Sequence, residues 1–172
     1  MENNEAYLDS SIIYMQENAE QYHLVDGSAP QVYGKDNTLR SYFEYSTVER
    51  NEVVEGGRLI TVADSAIEIT QVRFAKNNFI YNETTGIYAS NADVRVLDCV
   101  FNGLQRQDFF TRLYNSKLNE INGAFIAVYA YSTLTVVNSS FKGGRSTLGG
   151  CILTMGPTTT FIENSSFSLC AA

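Results

Sequence analysis

The sequence predicts an all-β solenoid, a coil of short parallel strands wound in the right-handed sense, and three observations predict it. The tetrapeptide Asn-Ser-Ser-Phe opens at Asn138 and opens again at Asn164. The residues around it keep one register through four copies. A glycine precedes each copy at a near-constant distance.

Aligning Phe141 with Phe167 sets Leu134 against Thr160, Val136 against Ile162, Asn138 against Asn164 and Ser139 against Ser165. Upstream, Ile67, Ile69, Gln71, Val72 and Phe74 fall in the same columns, as do Val94, Val96, Asp98, Cys99 and Phe101. Gly57, Gly86, Gly123 and Gly150 stand at nearly the same interval ahead of Phe74, Phe101, Phe141 and Phe167, and each opens an apolar run. Self-similarity at this period marks units that bury their apolar faces only by stacking.

Each unit holds three strand-like pieces: one after the glycine, one at the apolar-x-apolar triplet and one ending in Phe. Three strands per unit make a triangular coil whose strands pair in parallel with their counterparts about 4.8 Å away. Parallel return strongly favours a right-handed crossover. An antiparallel sandwich, with Asn102-Gly103 and Asn122-Gly123 as hairpin turns, is the rival fold. Hairpins do not require matched columns one coil apart, so the solenoid is preferred.

The chain resembles the right-handed parallel β-helix, or pectin-lyase-like, proteins. Within that group it is most similar to the repeats of polymorphic outer-membrane proteins and related surface adhesins. Gly149-Gly150-Cys151-Ile152 and Gly56-Gly57-Arg58-Leu59 look like their Gly-Gly-x-Ile element, and Phe74-Ala75-Lys76-Asn77 and Phe79-Ile80-Tyr81-Asn82 like their Phe-x-x-Asn element. Phe101, Phe141 and Phe167 lack the Asn that this element places after its Phe. The resemblance covers roughly residues 56–170 and implies a structural or adhesive surface module, expected to be extracellular or at a cell surface.

Residues 56–172 are thus expected to form about four coils, with an insertion at about 103–122. Residues 1–55 form an irregular, acidic N-terminal segment, a partial coil or cap. Residues 1–57 carry 11 acidic and 3 basic side chains, a net −8, whereas residues 58–172 carry 8 and 9. A nucleic-acid partner needs a concentrated basic face, so that class is set aside. No apolar run approaches the roughly 20 residues of a membrane helix. The start, "MENNEAYLDSS", shows no signal peptide. Neither metal nor cofactor is expected, because EF-hand, zinc and phosphate-loop spacings are all missing.

The columns assign roles. Phe74, Phe101, Phe141 and Phe167 should stack inside, with Ile67, Ile69, Val94, Val96, Leu134, Val136 and Ile162 as a second wall. Asp98, Asn138 and Asn164, with Gln71 ahead of them, fall at a turn, where Asn tolerates left-handed backbone angles. Their side chains are expected to point inward as a structural ladder. That reading leaves Asn82, in "NETTG", as the glycosylation candidate among three Asn-x-Ser/Thr sites, since an inward amide carries no glycan. Cys99 should lie inside as a small hydrophobe. With Cys151 and Cys170 it makes an odd count, and the pairing and redox compartment stay open.

Glu68, Arg95, Thr135 and Phe161 form an outward column, with an ion pair between the first two. An outward Phe161 signals a partner or a further coil. Phe101 and Phe141 are set further apart in sequence than the phenylalanines of the other neighbouring copies, so the insertion projects there. Its Arg106, Phe109, Phe110, Arg112, Tyr114 and Lys117 are the residue mixture enriched at interaction hot spots. They form a candidate partner-binding loop, or else a flap folded over the coil.

Many parallel β-helices cleave polysaccharides, with clustered aspartates and a His or Arg on one strand face. This chain has one histidine, His23, outside the repeats, and Asp93 aligns with Ala66 and Thr133 rather than with another carboxylate. No catalytic residue is assigned. The expectation is a non-catalytic module in a larger assembly, meeting a protein partner or further coils at its C-terminal end. A carbohydrate-binding or carbohydrate-cleaving β-helix is the alternative.

Overall fold

The computed structural model of the chain describes residues 5–6, 11–16, 40–53, 58–79, 85–103, 125–144 and 148–171. Among them there is no helix, and so none long and apolar enough to cross a membrane.

A short strand, β1 (Glu5–Ala6), comes first, and the first full level of strands follows it: β2 (Ser11–Gln16), β3 (Ser41–Glu44), β4 (Thr47–Glu49) and β5 (Glu52–Val53). The second holds β6 (Arg58–Ala63), β7 (Ala66–Thr70), β8 (Arg73–Ala75) and β9 (Asn78–Phe79). Next come β10 (Thr85–Ser90), β11 (Asp93–Leu97) and β12 (Val100–Asn102), then β13 (Ile126–Tyr129), β14 (Thr133–Val137) and β15 (Ser140–Lys142). The last level is β16 (Ile152–Met155), β17 (Thr159–Glu163) and β18 (Ser166–Ser168).

Like stacks on like. The first sheet runs β2-β6-β10-β13-β16, the second β3-β7-β11-β14-β17 and the third β4-β8-β12-β15-β18, with a short fourth sheet β1-β5-β9. Every pairing is parallel, and the register is the one the repeats require: Val94 lies opposite Ile67 and Leu134, and Phe101 opposite Phe74 and Phe141. The solenoid is therefore all-β and parallel. Its principal sheets are five strands deep, with β2, β3 and β4 as their first strands.

Period-two alternation fills the interior. Ile60 and Val62, Ile67 and Ile69, and Phe74 are buried, as are their counterparts in the next two levels. The phenylalanines form one file, with ring centroids 4.6, 4.6 and 4.8 Å apart and planes within 7° of parallel. That spacing is the inter-strand distance itself, so each ring covers the next, adding about 0.5–1.5 kcal/mol per pair beyond area burial. Phe125 meets the file edge-on, 5.5 Å from Phe101. Its backbone leaves no room for a side chain at Gly86, where a Cβ would lie 2.6 Å from the Phe125 carbonyl oxygen.

Among the described residues three corners recur from level to level, and each is built on left-handed backbone angles. Asp64, Asn91 and the pair Ala130 and Tyr131 mark the first corner, Tyr45, Gln71, Asp98, Asn138 and Asn164 the second, and Arg50, Lys76, Gly103, Gly143 and Leu169 the third. Left-handed geometry costs a non-glycine residue roughly 1–3 kcal/mol. It is sustained because the corner N–H meets a carbonyl of the next level, as from Gln71 to Leu97 (3.0 Å) and from Asn138 to Glu163 (3.1 Å).

At each of the three corners there is a level whose next residue turns a polar side chain inward and accepts the N–H of its counterpart one level earlier. The Cys99 N–H donates to Ser139 Oγ and the Ser139 N–H to Ser165 Oγ, both at 3.1 Å. At the first corner the Ala92 N–H donates to Ser132 Oγ, and at the third the Asn51 N–H donates to Asn77 Oδ1. This accounts for Asn-Ser-Ser-Phe. The Asn turns the corner, the first Ser bonds the neighbouring level, the second lies in a strand, and the Phe joins the file.

Two expectations are corrected here. The inward ladder of Asp98, Asn138 and Asn164 is not formed, since all three side chains are exposed. A left-handed residue between two strands sends its side chain out of the bend, and the inward role passes to the following residue. The buried amide ladder is instead Asn51 on Asn77, whose Nδ2 donates to the Val48 carbonyl at 2.9 Å. Second, Phe167 and Ile162 hold their columns but are 42% and 45% exposed, because no further level covers them.

Candidate interaction site at the terminal rung

The last level, β16 to β18, presents to solvent the columns that earlier levels bury. Val136 and Phe141 are at most 1% exposed, while Ile162 and Phe167 beside them are nearly half exposed. Met155 (42%), Phe161 (53%) and Leu169 (71%) extend the same apolar end. Each of the three strands has a neighbour on one side only, so its other edge carries unpaired backbone groups, a template for strand addition.

This end is held in shape from within. Cys151, at the start of the last level, is disulfide-bonded to Cys170, just past β18, with Cα atoms 5.3 Å apart and a sequence separation of 19. The bond closes the last coil on itself. Gly144 makes room for it, because a Cβ there would stand 2.5 Å from Cys151 Sγ and 2.8 Å from the Phe125 ring. Beyond Cys170 the Ala171 N–H donates to the Gly144 carbonyl at 2.9 Å, keeping the tail in coil register. Sequence reasoning missed this pairing, and its only trace was that both cysteines fall near the ends of one repeat.

Phe161 points outward as the alternation required, opposite Thr135 in the column of Arg95 and Glu68. The Glu68–Arg95 pair is formed, at 4.0 Å. Arg106, Phe109, Phe110, Arg112, Tyr114 and Lys117 lie outside the described residues, and so does Asn82. Asn138 and Asn164, set aside as glycan acceptors on the ground that they faced inward, are exposed on neighbouring turns of one corner.

Charge is sparse at this end. Residues 151–171 contain one ionisable acid or base besides the cysteines, Glu163. The remaining thiol, Cys99, is buried, and burial pushes it up to about 11. It donates to the Leu97 and Ile69 carbonyls at 3.2 and 3.3 Å and serves as a packed core group. Among the described residues no group of three or more His, Cys, Asp or Glu is placed to hold a metal ion.

Comparison with family models, with curated proteins and with solved structures finds no match to this chain.

Proposed function

We propose that this protein is a non-catalytic structural module, a β-solenoid whose terminal rung is a joint in a larger assembly. The supporting observation is the contrast within single columns: Phe141 is buried and Phe167, 4.8 Å along the same file, is 42% exposed. An apolar strand edge of this kind is completed by further strands. The resemblance to surface adhesin repeats points to an extracellular or cell-surface setting. So does the disulfide, since such bonds persist in oxidising compartments. The exposed Asn138 and Asn164 sequons are compatible with a glycoprotein.

Light scattering over a range of concentrations tests the joint. The expected result is a particle heavier than the 19.1 kDa chain, reverting to that mass when Ile162→Asp places a charge in the exposed column. A strand-rich protein that stays at single-chain mass throughout overturns the reading.

One observation favours carbohydrate binding as the second reading. Tyr88 and Tyr129 are half-buried on the outward face of the first sheet, rings 5.2 Å apart, with the Arg58 guanidinium 3.8 Å from the Tyr88 ring. Aromatic faces beside a fixed cation are a surface on which sugar rings stack. A glycan array should then give signals that Tyr129→Ala abolishes, and a blank array removes this reading.

A further inference from the structure

We infer that Asn138 is an N-glycan acceptor, whose side-chain nitrogen carries an oligosaccharide at the second corner of the fourth level. The inference rests on the extracellular setting proposed above and is independent of the joint.

Asn138-Ser139-Ser140 is an acceptor triplet without proline. Whether the folded chain can bear a glycan there depends on the direction of the asparagine. Asn138 has a left-handed backbone, φ 49°, which sends its side chain out of the bend, and the residue is exposed. Levels lie on both sides of it, with Asp98 at the same corner one level earlier and Asn164 one level later. All five residues at this corner, Tyr45, Gln71, Asp98, Asn138 and Asn164, are exposed. The exposure of Asn138 therefore belongs to the corner and does not depend on where the stack stops.

Its amide is also uncommitted. Other asparagines of the solenoid spend theirs: Asn51 Nδ2 donates to Asn77 Oδ1 at 3.0 Å, Asn77 Nδ2 to the Val48 carbonyl at 2.9 Å and Asn91 Nδ2 to Asp64 Oδ1 at 2.7 Å. Among the described residues no hydrogen bond holds the Asn138 side chain. Its backbone N–H alone is engaged, donating to the Glu163 carbonyl at 3.1 Å. A sugar on Nδ2 costs this corner no bond.

The donor class is an oligosaccharide carried on a polyprenyl diphosphate. Asn138 Nδ2 forms the bond to C1 of the first sugar as the bond from C1 to the diphosphate oxygen breaks. The diphosphate leaves with the bonding electrons, and Nδ2 gives up one proton to a base of the transferase. Ser140, whose hydroxyl the acceptor triplet requires, is half-buried in β15, its N–H donated to the Cys99 carbonyl at 2.9 Å. Transfer therefore takes place on the extended chain, and the outward corner lets this level wind with the sugar in place. The Cys151–Cys170 disulfide belongs to the oxidising compartments through which secreted glycoproteins pass.

The test is peptide mass mapping of the full chain isolated from the cells that make it, unreduced, before and after treatment with a glycan amidase, which leaves Asp at an occupied position. Cleavage after Lys117 and Lys142 separates Asn138 from the triplets at Asn82 and Asn164. The expected result is a glycan on peptide 118–142 that the amidase removes, with Cys151–Cys170 intact. Asn138→Gln, a side chain this corner already holds as Gln71, should abolish that mass and keep the strand content. Ser140→Ala should abolish it with the corner asparagine retained. A mass on 118–142 that survives in both variants is not attached to Asn138 and overturns the inference. A bare Asn138 beside an intact disulfide overturns the site and leaves the extracellular setting standing. A bare Asn138 with both cysteines reduced overturns the two together.

Discussion

Arg40 and Asp93 are 53 residues apart in sequence and two levels apart in the second sheet, yet Nη2 of the arginine lies 2.5 Å from Oδ2 of the aspartate. The pair is buried, with side chains 6% and 10% exposed. It is reached across Ala66, which faces Asp93 from the intervening level and whose methyl group leaves a path for the long side chain. On the way, Arg40 Nη1 donates to the Ile67 carbonyl at 3.4 Å. One side chain thus ties the first level to the third.

Removing one member of a buried pair strands the other without water. Asp93→Asn or Arg40→Met alone should cost about 3–5 kcal/mol in urea unfolding, and the double change Arg40→Met with Asp93→Leu should recover most of it. Single variants within about 0.5 kcal/mol of the parent would show that the pair does not hold the levels together.

The phenylalanine file should show a gradient of sensitivity. Phe101→Ala removes a ring stacked on both faces and touched by Phe125, and should cost about 3–5 kcal/mol. Phe167→Ala removes a ring covered on one face and should cost less than half as much. Equal losses would contradict the assignment of the last level as the open one.

Opening the Cys151–Cys170 bond releases a loop of about 20 residues, for which chain entropy predicts roughly 3 kcal/mol. The loss should be local before it is global. In Cys170→Ser, amide exchange at Ala171 and Gly143, whose N–H groups hold the end in register, should accelerate while that of β11 stays slow. Uniform acceleration through every level would argue against a separately stapled end.

Cys99 gives a pH signature. Its thiol ordinarily titrates near 9.0, and burial raises this to about 11. Between those values the unfolded chain ionises while the folded one does not. Stability from this group is therefore full below pH 9 and falls as pH rises toward 11. Cys99→Val, which copies Val72 of the same column, should lie within about 1.5 kcal/mol of the parent at pH 7. Relative to the parent it should gain about 2 kcal/mol by pH 11. A constant difference across that window would show that the thiol ionises in the folded protein.

Particular residues show how much of this was legible. Phe101, Phe141 and Phe167 announced the file, and Glu68 with Arg95 announced an outward pair, because parallel strands one coil apart turn sequence identity into spatial contact. The corner residues were legible as turns, but the direction of Asn138 and Asn164 was not. A single left-handed residue reverses which neighbour faces the core, and the repeat interval is the same either way. Of the candidate site, Phe161 was singled out in sequence by its wrong-sided apolarity. Ile162 and Phe167 were taken for core, since a column gives no sign of where stacking stops.

Sequence alone determined the parallel columns and the three-strand unit, because repetition is a local property that every copy states again. Tertiary structure alone decided what happens once: the reach of Arg40 over Ala66, the closure of Cys151 on Cys170 in the space left by Gly144, the amide ladder at Asn51, and the bare face of the last rung. Each depends on how many levels lie between two residues, and that distance is set by the wound chain.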